Sequence, residues 1–154
     1  MRALTAIAFV VFAGVGAAQD SPPRRMTQEN LHAIIAEAAQ DVRAEGNVVV
    51  FRLGETQLLC ISDTFADRMR IIAPIKRLEE ATAEELLAAL QANFHTVLDA
   101  RYAVSNGIIF AAYLHPLSSL TREQIVSAMH QVAAARASFG TDYSSGGPVF
   151  GGVR

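Results

Sequence analysis

Cysteine is almost absent from this chain. Cys60 stands alone, so no intramolecular disulfide can form. It sits in an apolar run with no basic residue close in sequence, which reads as a buried small hydrophobe rather than an activated thiol. An unpaired thiol that cross-links two chains is the other reading. Tryptophan is missing, and one Lys stands against twelve Arg, a bias we ascribe to genome composition. Basic runs are also lacking. The 13 Lys and Arg roughly balance the 15 Asp and Glu, for a formal net charge of −2, so nothing points to nucleic acid. Of the four histidines, His32, His95, His115 and His130, none lies within four residues of another, and no Cys is close to them in sequence, so no zinc-ligand spacing arises. There is no Gly-x-Ser-x-Gly elbow, and Ser144-Ser145-Gly146-Gly147 has neither the Lys nor the helix of a phosphate loop. Asp63 and Asp67 lack the Asp-x-Asp-x-Asp-Gly spacing of a calcium loop and read as turn residues. No catalytic residue, metal ligand or cofactor site is read from the sequence.

What is present is a ribbon of β-branched and apolar residues over 47–75. Gly54-Glu55 separates two such runs and suits a type II′ hairpin turn, with glycine at the position of positive φ. That turn sets a register. Leu53 faces Thr56, Phe51 faces Leu58 and Val49 faces Cys60 on one side of the sheet. Arg52 faces Gln57, Val50 faces Leu59 and Val48 faces Ile61 on the other. The second side is polar near the turn and apolar beyond it, whereas a sheet with one solvated face alternates cleanly. A helix, a second subunit or a bound peptide would serve to cover it. A third strand over 68–75 places Met69, Ile71, Ala73 and Ile75 together, opposite Arg68 and Arg70. Pro74 cannot donate a ladder hydrogen bond and marks this end of the strand as a sheet edge or a strand end.

Residues 1–18 form a separate segment: Arg2, an apolar stretch, then small residues at Gly16-Ala17-Ala18. As a helix, residues 3–18 would span about 24 Å, short of the roughly 30 Å of a bilayer core. The segment reads as a cleavable secretory leader, with an uncleaved anchor as the alternative. It places the mature chain in the periplasm or outside the cell, with no membrane attachment once the leader is removed. Residues 19–26 read as an extended linker. A first helix is capped by Thr27, carries Leu31, Ile34, Ile35, Ala38 and Val42 on one stripe, and is stopped by Gly46. Thr82 and Glu85 form a capping box for a second helix reaching about Ala100, whose stripe is Leu86, Leu90, Phe94 and Val97, widened by Leu87 and Leu98. Asn106-Gly107 makes a second hairpin. Thr121 with Gln124 caps a last helix that ends at Gly140, and 140–154 reads as a flexible Gly- and Ser-rich tail. The predicted fold is α+β in the order α-β-β-β-α-β-β-α, with about five antiparallel strands and helices packed on the sheet.

That helix order, the meander ending Arg68-Met69-Arg70-Ile71-Ile72-Ala73-Pro74-Ile75, and Arg101-Tyr102-Ala103-Val104 before the second hairpin resemble the YbjN-type domain, which is similar in fold to class I type III secretion chaperones. The resemblance covers about residues 27–139. It implies an α+β domain, often dimeric, that holds other polypeptides and has no catalytic residues. The leader sets this chain apart from the secretion chaperones, which act in the cytosol. The expected partners are a polypeptide or a second copy, with Val48, Val50, Leu59, Ile61, Met69 and Ile71 as candidate contacts. The alternative is a small ligand-binding protein or enzyme with a site between the sheet and the second helix, for which His95, Asp63 and Asp67 are the first choices.

Overall fold

The computed structural model describes residues 25–146. The leader and most of the linker read from the sequence lie outside them. The chain forms α1 (Gln28–Ala38), β1 (Gln40–Glu45), β2 (Val48–Leu53), β3 (Thr56–Asp63), β4 (Arg68–Arg77), a 3-10 turn (Leu78–Glu80), α2 (Ala83–His95), β5 (Arg101–Ser105), β6 (Ile108–His115) and α3 (Arg122–Ser138). The six strands make one antiparallel sheet in the order β1-β2-β3-β4-β6-β5. The α+β architecture expected from the sequence is therefore present, with six strands in place of about five.

Local chemistry places these elements where the sequence does. Gly54 has φ of +58° while Glu55 does not enter the left-handed region, as a II′ turn requires. The β2–β3 register is the one derived from it, with Val49 opposite Cys60 and Val50 opposite Leu59. Asn106 and Gly107 both have positive φ, 48° and 73°, the signature of a type I′ turn. Thr27 Oγ accepts from the Asn30 N–H, and Thr82–Glu85 and Thr121–Gln124 form reciprocal capping boxes.

The core lies between the sheet and the helices. One side of the sheet supplies Val49, Phe51, Leu58, Cys60, Met69, Ile71, Ala73 and Ala111. Above them α3 supplies Ile125, Ala128, Met129, Val132 and Ala135, while α1 adds Leu31 and Ile35. Helix α3 lies against β4, β6 and β3, α1 against α3 and β1, and α2 against β5. Gln131 is a buried polar residue here. Its side-chain carbonyl accepts from the backbone N–H groups of Asp99 (3.0 Å) and Ala100 (3.2 Å), fixing the turn between α2 and β5.

Three expectations are corrected and one is narrowed. The first helix stops at Ala38, and residues 40–45 form the edge strand β1. Val42 turns inward in either conformation, so it satisfies a helical stripe without requiring a helix. The strand carries a bulge: pairing steps from Gln40–Arg52 to Arg43–Val50 around Asp41, whose φ is 52°. Pro74 does not end its strand, since β4 continues to Arg77 and Phe110 of β6 stands opposite it; the edge is local, because the pairing with β3 reaches only Ile72. The register with β6 shifts between Pro74 and Lys76. Helix α2 ends at His95 rather than near Ala100. Thr96 and Val97 both donate their N–H to the Ala92 carbonyl, and Leu98 turns at φ 50°. Finally, the start of the tail is tied down. Ser138 Oγ donates to the Ser144 carbonyl (2.6 Å), Ser145 N–H donates to Thr96 (3.3 Å), and Tyr143 packs on Phe139 and Tyr102. Residues 147–154 lie outside the described residues.

The loop after β3 gives the fold a pH-sensitive tie. Asp67, at φ 50°, accepts from the Ser118 N–H (2.7 Å) and hydroxyl (2.8 Å), pinning the β3–β4 turn to the loop before α3. The Ser118 N–H bond, followed by the Ser118 hydroxyl, holds the carboxyl below the usual range. A depressed folded pKa stabilises the fold above the unfolded value of about 4, and that contribution is lost as pH falls through the folded value. We expect Asp67→Asn to have a melting temperature that falls less steeply below about pH 4 than that of the wild type, measured by circular dichroism. Parallel acid limbs would refute the role of this carboxylate. Glu85, held low first by its hydrogen bond from Lys76 and then by Thr82, retains part of the limb in either protein.

Candidate functional site

All of the large core side chains of β2, β3 and β4 point to the helical side, which leaves the other side of the sheet to be described. The strand registers align a row across all six strands: Arg43 (β1), Val50 (β2), Leu59 (β3), Ile72 (β4), Ala112 (β6) and Arg101 (β5). The next row on the same face is Glu45, Val48, Ile61, Arg70 and Leu114. Val48, Val50, Leu59, Ile61 and Ile72 are half-buried, and Leu114 is 54% exposed. Among the described residues no helix packs on this face, since the buried residues of α1 and α3 belong to the cluster on the opposite side. The half-burial of these side chains comes from their neighbours in the sheet.

Of the six contacts proposed from the sequence, Val48, Val50, Leu59 and Ile61 lie together on this open face. Met69 and Ile71 do not. They are 1% and 0% exposed in the core under α3, so their inclusion is corrected. In β4 they alternate with Arg68, Arg70 and Ile72, and the period of two puts them on the side opposite to Ile72.

Part of the wide apolar stripe read on the second helix forms a second apolar surface. Helix α2 packs on the sheet through small residues, Ala89 and Ala92, and turns its large ones outward: Leu87, Leu90 and Phe94 are 57%, 66% and 87% exposed. Beside them a hollow of about 240 Å³ lies between α2 and β5, lined by residues such as Leu78, Leu86, Tyr102 and Val104. The neighbouring edge of β5 is partly closed. Asn93 accepts from the Tyr102 N–H (2.7 Å) and donates to the Tyr102 carbonyl (3.1 Å), taking the place of a strand partner.

The residues chosen for a ligand site between sheet and second helix do not converge. Asp63 accepts from the N–H groups of Phe65 and Ala66 in its own turn, Asp67 is bound to Ser118, and His95 is exposed at the end of α2. None of the three lines the hollow, whose walls are apolar. Among the described residues no group of three or more His, Cys, Asp or Glu side chains is placed to hold a metal ion. Cys60 is 1% exposed, and burial pushes its thiol up to about 12, so it is not held as a thiolate.

The sheet and its helices define an α+β fold with one six-stranded antiparallel sheet. No family model matches the chain, and no curated protein matches it. Among solved structures, a chain of the HopA1–SchA chaperone–effector complex superposes with a TM-score of 0.55 at 14% identity, over 71% of this chain and 88% of that one. A chain of the ExsC–ExsE complex superposes with a TM-score of 0.53 at 11% identity, over 71% and 90%. At these identities the likeness is one of fold. The fold expected from the resemblance to secretion chaperones is thus found, and the YbjN-type assignment has no matching family model.

Proposed function

We propose that this chain is a non-enzymatic, chaperone-like domain that holds a polypeptide on the open face of its sheet. One observation carries this reading: Val48, Val50, Leu59 and Ile61 form a contiguous apolar patch that the helices among the described residues leave uncovered. The fold shared with a chain of a chaperone–effector complex supports it. So does their clustering, since apolar side chains gathered on one uncovered face mark interaction sites more often than scattered ones do. Leu59→Glu places a charge at the centre of the patch. It is expected to weaken capture of polypeptides on a peptide array at least tenfold while leaving the circular dichroism spectrum unchanged. Undiminished capture by a folded variant would refute the assignment of the face.

Self-association belongs to a different surface. The outward stripe Leu87, Leu90 and Phe94 on α2, with the hollow beside it, supports a homodimer built on that helix. Two antiparallel copies of one helix can bury the same stripe on both partners, as a two-fold interface requires.

Export is supported by the sequence of the first 18 residues. N-terminal sequencing of the protein recovered from envelope extracts is expected to start at Gln19. An intact Met1 on a soluble cytosolic protein would refute export.

A further inference from the structure

We infer that the occupant of the open face is an acidic amphipathic helix of another polypeptide, its apolar stripe seated on Val50, Leu59 and Ile72 and its carboxylates on Arg43 and Arg70. The inference rests on the reading of this face as a docking surface and adds the chemistry of what docks there.

The charges on the face are lopsided. Arg52 is paired with Asp41 (3.4 Å), and Arg68 stands opposite Asp63 in the register. Arg43 and Arg70 are exposed and have no carboxylate partner among the described residues, and the Arg101 guanidinium donates to the carbonyls of Leu98 and Ala100 without meeting a counter-charge. Glu45, at one corner of the face, is the single carboxylate there with neither an ion pair nor a hydrogen bond among the described residues. An apolar strip bounded by unneutralised guanidinium groups is complementary to a partner with apolar residues at its centre and carboxylates at its flanks.

Geometry separates the possible occupants. A sheet face is closed by a helix or by a second sheet, whereas an extended peptide adds at an edge. From Arg43 to Arg101 the central row crosses five inter-strand spacings, about 24 Å, the length of a helix of about 16 residues. The second-sheet solution would be another copy of this chain face to face. That would set Arg43 and Arg70 against the same unneutralised face, with little negative charge to receive them. An anionic membrane would also attract the arginines. However, Val48, Val50, Leu59 and Ile61 are half-buried within the pleat rather than projecting, which suits a packed helix better than insertion into lipid.

The test uses the natively processed protein and two fluorescent peptides of about 16 residues with one Leu/Ile stripe, flanked in one by Glu and in the other by Lys. Anisotropy is measured at about 50 mM and about 500 mM salt. The Glu peptide is expected to bind about tenfold tighter than the Lys peptide at low salt, with the gap closing at high salt. The double variant Arg43→Glu/Arg70→Glu, shown to be folded by circular dichroism, is expected to reverse the preference, and Leu59→Glu to abolish binding of the Glu peptide. Equal binding of both peptides without salt dependence would overturn the charge complementarity and leave the docking surface standing. Failure of both peptides to bind would overturn both readings. Two further results would overturn the inference: a Val50→Glu variant that turns a dimer into a monomer, giving the face to a second copy, or cosedimentation with phosphatidylglycerol vesicles that the Glu peptide does not compete away.

Discussion

Phe51→Ala is expected to lower unfolding stability by about 3–5 kcal/mol, while Val50→Glu, at the adjacent position of the same strand, costs about 1 kcal/mol or less. Phe51 is fully buried opposite Leu58 and beneath α3, in a cluster that includes Met69 and Ile71. Truncating it removes the transfer free energy of a phenyl ring and leaves a cavity that rigid strands on both sides cannot collapse into. A domain of this size has a total stability of roughly 5–15 kcal/mol, so the variant sits near the edge of folding. Val50 is half-buried on the other face, beside Arg43 in the register, and a carboxylate there can reach water and the Arg43 guanidinium. Urea denaturation followed by circular dichroism measures both. Equal losses from the two substitutions would mean that the second face is covered within one subunit, and the docking surface would go with it.

The turns were the most legible part of the chain, because their chemistry is local. Gly54 and Asn106-Gly107 each sit where only positive φ closes a two-residue hairpin. Once the first turn is placed, the period of two dictates the β2–β3 faces down to Val48 opposite Ile61. The capping boxes at Thr82 and Thr121 were equally local. Strand β1 was hidden because it is an edge. Only Val42 turns inward, so the alternation that announces a strand is absent, and Ile34, Ile35, Ala38 and Val42 imitate a longer helix. Gly46-Asn47 between Glu45 and Val48 was the available signal, a two-residue glycine turn of the same kind as Gly54-Glu55. Met69 and Ile71 were placed among the contacts because apolar composition does not say which side of a strand meets the helices. That depends on the β3–β4 register, Cys60 opposite Ile71, which no short turn dictates. The Asp67–Ser118 tie and the Gln131 bonds to the α2–β5 turn join residues far apart in sequence and carry no local signature.

Helix α2 carries the other large effect. If the chain pairs through its outward stripe, the double variant Leu90→Glu/Phe94→Glu is expected to weaken the dimer at least about 1,000-fold and to run as a monomer in light scattering at micromolar concentration. A two-fold interface presents each substituted side chain twice, so four apolar groups are lost, each contributing about 1.5–3 kcal/mol when fully buried. Four carboxylates are introduced in their place, two on each side of the axis, where like charges repel. The fold itself has little to lose, because Leu90 and Phe94 are 66% and 87% exposed and α2 is anchored instead by Ala89, Ala92 and the Asn93 bonds to Tyr102. A fully monomeric variant with an unchanged circular dichroism spectrum, whose melting temperature has lost the concentration dependence of the dimer, would therefore assign the stripe to self-association. A wild-type protein that is already monomeric would remove it, and would leave Leu87, Leu90 and Phe94 as a second surface for a polypeptide partner. A wild-type dimer unaffected by the substitutions would move the interface off α2. The natural place to look next would then be the β1 edge, because the β5 edge is already closed at Tyr102 by Asn93.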